Sequence, residues 1–116
     1  MKIQFRDRDV KVTEVLRTHV ARRLGVALGR FGERIGGVIV RLSDIKGRLG
    51  GLDKRCEIRV GLRPRFVHAE DTDSDPFAAV VHASDRVSRS VGRALERERE
   101  LDEGTRRSRT PRRLKG

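Results

Sequence analysis

A chain of 116 residues supplies one small domain around one core. It carries 28 basic against 17 acidic residues, a formal net charge of +11. That imbalance speaks of partners rather than of fold, and points to nucleic acid, an anionic membrane or an acidic protein. No apolar run approaches the ~20 residues that span a bilayer, and the opening MKIQFRDRDV has no apolar signal-peptide centre. A cytoplasmic protein with no membrane partner is expected.

The elements follow in chain order. Residues 2–6 alternate, with Ile3 and Phe5 on one face, as a short strand does. Thr13 is a fitting N-cap for a helix that opens on Glu14, whose charge favours a first turn. Leu16, Val20, Leu24, Ala27 and Phe31 then form an apolar stripe, and Gly32 marks a stop. His19, Arg23 and Arg30 flank the stripe, and Arg22 points further out.

Residues 35–45 read as a second strand with Val38, Val40 and Leu42 inward. The glycine-rich stretch 46–53 reads as a hairpin loop. Residues 55–62 alternate strictly: Cys56, Ile58, Val60 and Leu62 on one face, Arg55, Glu57 and Arg59 on the other. One face of the sheet is therefore wet. A fourth strand is expected over 65–69 and an acidic loop over 70–75. Asp75-Pro76 starts a helix, as an N-cap followed by proline at the first helical position.

That second helix carries the most informative pattern in the chain. At roughly 100° per residue, Val80, Val87, Val91 and Leu95 fall within about 80° of one another. Arg86, Arg89, Arg93 and Arg97 cluster on the opposite side. One face packs and the other meets negative charge. Guanidinium groups at this spacing suit a row of phosphates, because each presents a planar fork of donors. The helix is expected to end near residue 98. The run 96–103 reads as a solvated helix end, and 104–116, with six basic side chains, as a disordered basic tail. The domain thus spans 1–103.

The order β-α-β-β-β-α gives an α+β fold, a two-layer sandwich of the kind seen in double-stranded RNA-binding domains. A four-stranded sheet carries both helices on one face. A right-handed crossover makes the first two strands parallel, and the later strands follow as antiparallel neighbours.

Arginine outnumbers lysine 23 to 5, which phosphate recognition favours and codon bias equally produces. Phe5, Phe31, Phe66 and Phe77 are the only aromatic rings besides histidine. Readers of single-stranded bases usually carry exposed stacking aromatics, so recognition of backbone and shape is expected instead. The lone Cys56 has no CxxC partner and reads as a buried structural thiol.

Several segments resemble the ribosome hibernation promoting factor family, which includes the ribosome-associated inhibitor called protein Y. VKVTEVLRTHVARRL (10–24) is similar to the family's opening, and RIGGVIVRL (34–42) to its second strand. FVHAEDTDSDPFAAV (66–80) is similar to the junction where the family typically reads I-H-A, an acidic loop, then D-M-Y-A-A-I. Arg86, Arg89 and Arg93 coincide with the family's basic positions, and Arg23 matches more loosely. The resemblance covers roughly residues 1–98. It departs at Pro76-Phe77, where the family has Met-Tyr, and at Gly25-Val26, where the family is commonly charged.

The resemblance implies a non-enzymatic protein that binds the small ribosomal subunit between head and body. There it occupies the channel for messenger RNA and the neighbouring tRNA sites, and silences translation under stress. The RNA-binding set expected here is Arg22, Arg23, Arg30, Arg86, Arg89, Arg93 and Arg97. The residues after Glu103 are too few for the dimerisation domain of the family's long branch, so self-driven ribosome dimerisation is not expected. The net charge of +11 opposes self-association, and a monomer is expected off the ribosome. A general double-stranded nucleic-acid module, or a module for an acidic protein, are the competing readings.

His68, Asp71, Asp73, Asp75 and His82 invite a metal or hydrolase reading. Their loop lacks the glycine and terminal glutamate of a calcium hand, and Asp75 is better explained as a helix cap. A nucleophile from Cys56 and His68 lacks the positive surroundings that activate a thiol. No metal, cofactor, small-molecule substrate or catalysis is expected.

Overall fold

Alternation along four strands builds the sheet. The computed structural model describes the backbone of residues 1–7, 12–47 and 50–109 and the side chains of 1–6, 12–47 and 50–104. The strands are β1 (Lys2–Asp7), β2 (Gly37–Lys46), β3 (Leu52–Gly61) and β4 (Phe66–Asp73), in spatial order β1-β2-β3-β4. β1 runs parallel to β2, and the two later pairings are antiparallel. Register places Val38 opposite Val60, Val40 opposite Ile58 and Leu42 opposite Cys56, all buried.

Both helices pack on that inward face. α1 (Glu14–Leu28) contributes Leu16, Val20, Leu24 and Leu28, and α2 (Pro76–Arg109) contributes Ala79, Val80, Ala83, Val87 and Val91. These side chains and the inward strand residues form one cluster, so the other sheet face is left uncovered. The helix starts are the ones the sequence signals. Thr13 Oγ1 accepts from the Leu16 N–H at 3.2 Å, and Asp75 Oδ1 accepts from the Phe77 N–H at 2.9 Å.

Three boundaries differ most from the sequence-based expectation; in addition β2 starts at Gly37 rather than residue 35, and β3 at Leu52 rather than residue 55, inside the expected loop. α1 ends at Leu28, and a 3-10 segment, Gly29–Arg34, follows, in which Gly32 takes a left-handed φ of 55°. Glycines at 25, 29 and 32 weaken the regular helix, and a tighter turn at a helix end is common. β4 runs through Asp73, so the acidic loop expected from Glu70 shrinks to Ser74 and Asp75. Opposite charges explain the extension. Glu70 meets Arg55 at 3.4 Å and Asp71 meets Arg86 at 3.1 Å, while Lys54, in register with Asp73, pairs with Asp44.

The third difference is at the C-terminal end. α2 continues to Arg109, through the boundary expected at Glu103. Residues 96–103 are mostly good helix formers, and Gly104 adopts no left-handed turn that would end the helix. Of the expected tail, residues 104–109 are helical in backbone, and 110–116 lie outside the described residues.

Gly25 offers a direct check of α1. A Cβ built there meets nothing within 4 Å. Gly25→Ala should therefore stabilise the domain by about 1 kcal/mol through helix propensity alone. Thermal melting should show a rise of about 4–8 °C. No rise would mean that the residue is not in a stable helix interior.

Candidate nucleic-acid interface

The periodicity that buries Val80, Val87 and Val91 puts Arg86, Arg89, Arg93 and Arg97 on the exposed side of α2. Arg89 and Arg93 form the centre of a basic surface. On one side they share a depression with Arg30, Phe31, Gly92 and Glu96. On the other they share one with Arg86, Ser90 and the β4 residues His68, Ala69 and Glu70. The 3-10 segment after α1 and the edge of the sheet thus meet across the same two arginines.

Arg30 is held in place. Its guanidinium lies over the Phe31 ring, 4.5 Å from the centroid, and donates to Ser88 Oγ at 3.3 Å. The Ser88 hydroxyl in turn donates to the Ala27 carbonyl at 2.8 Å. Gly92 lies beside both groups: a Cβ there would make ordinary contact, 3.8 Å from Arg30 Nη2 and from Phe31 Cζ. Ring stacking and a hydrogen bond reduce the freedom that Arg30 loses on meeting a phosphate.

The other expected residues are distributed differently. Arg86 Nε pairs with Asp71 Oδ2 at 3.1 Å, and Arg23 Nη2 pairs with Asp85 Oδ1 at 3.3 Å. Both already meet a carboxylate. Arg22 stands on the side of α1 opposite its buried stripe and joins neither depression. Arg97 is exposed one turn beyond Arg93. The structure therefore brings together Arg30, Arg89 and Arg93, sets Arg86 beside them, and leaves Arg22, Arg23 and Arg97 at a remove.

A contact absent from the sequence reading supports this surface. Arg34 Nη2 donates to both carboxylate oxygens of Glu98, each at 2.9 Å. The pair ties the segment after α1 to α2, so Glu98 is not merely part of a solvated helix end. A signal was available: Glu98 lies eighteen residues after Val80, five full turns of about 3.6 residues, and so falls on the packing face.

The metal-like set from the sequence does not converge. Asp71 serves Arg86, Asp73 Oδ1 accepts from the Asp75 N–H at 2.9 Å, Asp75 caps α2 and His82 is exposed on the helix. His68 instead meets Glu57 and Glu70 on the uncovered sheet face, with one ligand atom of each within 4.8 Å of the others. That spacing could hold a divalent cation, but Arg55 already engages Glu70 and His68 lies 3.8 Å from Glu57. Burial, with the charges of Glu57 and Asp71 adding to it, pushes the Cys56 thiol up to about 12. A thiol this far from ionisation is no nucleophile at neutral pH.

A mixed four-stranded sheet with two helices on one face, in the order β-α-β-β-β-α, defines a two-layer α+β class of domains. Within it, residues 3–99 match the family described as sigma 54 modulation protein / S30EA ribosomal protein, and the chain belongs to that family. The N-terminal domain of Protein Y from Thermus thermophilus shares 30% sequence identity with it. That match covers 80% of this chain and 98% of the other, at a TM-score of 0.66. A ribosomal subunit interface protein from Coxiella burnetii has the same fold at 17% identity. There the coverage is 83% of this chain and 99% of the other, with a TM-score of 0.70. A comparison with curated proteins yields no match.

Proposed function

We propose that this protein associates with the small ribosomal subunit through ribosomal RNA and silences translation under stress by occupying the mRNA and tRNA channel. The observation that carries the reading is the convergence of Arg30, from the 3-10 segment after α1, with Arg89 and Arg93 of α2, and Arg86 alongside, on one exposed surface. Family membership supports the ribosome as the partner, since the family is that of the S30EA ribosomal protein. The chemistry asked of the site is binding alone. Guanidinium forks meet phosphate oxygens, and no bond is made or broken. The protein works in the cytoplasm as a monomer off the ribosome, its net charge of +11 opposing self-association. Among the described residues no helix is long and apolar enough to cross a membrane.

Sedimentation tests this. Purified protein mixed with salt-washed subunits should travel with the small subunit and not the large one in a sucrose gradient. An excess of unrelated duplex RNA should not displace it. Displacement by duplex RNA as effective as by free small subunits would favour a general double-stranded nucleic-acid module instead.

A further inference from the structure

The uncovered face of the sheet carries a second, differently built surface. On this face the register sets Arg6 of β1 directly opposite Arg41 of β2. One step along, Ile39 of β2 stands opposite Arg59 of β3. The three arginines surround Ile39 in a depression of about 360 Å³, which Glu57, opposite Arg41 on β3, and His68, opposite Arg59 on β4, also line. Like charges directly opposite one another destabilise a sheet. Among the described residues, no carboxylate oxygen lies within 4.0 Å of any of the three guanidinium groups. Glu57 turns instead toward His68.

The depression continues into another, of about 290 Å³, that reaches Phe66 of β4. Phe66 is 52% exposed, and the Arg59 guanidinium lies 3.5 Å from its ring centroid. Gly37 and Gly61 line the same hollow and leave the sheet surface bare beside the ring. Phe66, Arg59, Arg41 and Arg6 thus form a diagonal across all four strands, about 20 Å long at the usual strand spacing and rise per residue.

We infer that this diagonal binds a short unpaired stretch of RNA, with Arg6, Arg41 and Arg59 on phosphates and the Phe66–Arg59 pair stacking a base. Unstacked bases pack on aromatic rings and on guanidinium planes, and an open sheet is a suitable platform for them. An acidic peptide would answer the charges but leave Phe66 and Ile39 without a partner. The inference rests on the reading of the chain as RNA-binding, but on a face that the helices do not form.

The test is fluorescence anisotropy with a labelled, unstructured eight-nucleotide oligouridylate. Three variants are compared: Arg41→Gln with Arg59→Gln, Phe66→Ala, and, on the helix surface, Arg89→Ala with Arg93→Ala. The double glutamine variant should weaken oligonucleotide binding about tenfold or more. It should also flatten the log–log salt dependence by about 1.4, at roughly 0.7 per single-strand phosphate contact. Phe66→Ala should weaken binding about fivefold or more with the salt slope unchanged, which a purely electrostatic patch would not show.

Arg6→Gln guards against a folding artefact. It removes the repulsion facing Arg41, so it should melt no lower than the wild type while still binding the oligonucleotide less well. Sheet-face variants that bind the oligonucleotide like the wild type would overturn the inference. So would displacement by polyglutamate as effective as by unlabelled oligonucleotide. Neither result touches the helix surface, whose own test is small-subunit binding by the Arg89 and Arg93 variant.

Discussion

Joint replacement of Arg86, Arg89 and Arg93 by alanine is expected to abolish inhibition of cell-free translation while the domain melts as the wild type does. Each charge-assisted phosphate contact contributes on the order of 1.5–3 kcal/mol. Three together weaken binding by a factor of about a thousand or more if their effects roughly add. The fold loses little. All three side chains are exposed, alanine is at least as good a helix former as arginine, and the partly exposed Arg86–Asp71 pair contributes at most about 1 kcal/mol. The matching acidic control is Glu96 with Glu100, which should leave binding intact. Glu98 is excluded from it because its bond to Arg34 holds the two helical segments together. A triple arginine variant that melts normally and still inhibits at the wild-type concentration would remove the helix surface from the account.

The second large effect lies in the core. Leu24 is fully buried on α1 and belongs to the cluster that joins both helices to the sheet. Leu24→Ala should cost about 2–5 kcal/mol, combining lost apolar transfer with the cavity left behind. Against a total of about 5–15 kcal/mol for a small domain, that is a severe loss. The melting midpoint should fall by about 10 °C or more, while Val26→Ala, at an exposed position of the same helix, should barely move it. Equal small effects at both positions would mean that α1 does not pack as described.

The architecture was readable because its signals are local. Cys56, Ile58 and Val60 alternate with Arg55, Glu57 and Arg59, and the buried set is the apolar one. Thr13 and Asp75 each sit one residue before a helix and make the capping bond their chemistry favours. The errors came where a distant partner decides. Asp71 and Asp73 look like loop residues in isolation, and only Arg86 and the opposing strand make them strand residues. The end of α2 is a different case: residues 96–103 are mostly good helix formers, so a local signal was there to carry the helix past residue 98.

The candidate site was readable in part. Helical spacing alone sets Arg86, Arg89 and Arg93 on one exposed face. That Arg30 joins them depends on how α1 and α2 cross, which no spacing within either helix specifies. The meeting of Arg6, Arg41 and Arg59 depends on the register of three strands, one pair of them parallel across an intervening helix. The scarcity of aromatic residues argued against base stacking, yet one well-placed ring, Phe66, is enough to raise it.

The central claim is that the protein and messenger RNA cannot share the small subunit. It is tested most directly by titrating the protein into small subunits that carry a fluorescent leader mRNA and initiator tRNA. The account predicts release of the mRNA at one protein per subunit, and no release by the Arg86, Arg89 and Arg93 variant at the same concentration. A stable complex holding protein, mRNA and tRNA together on one subunit, with mRNA affinity unchanged, would contradict it.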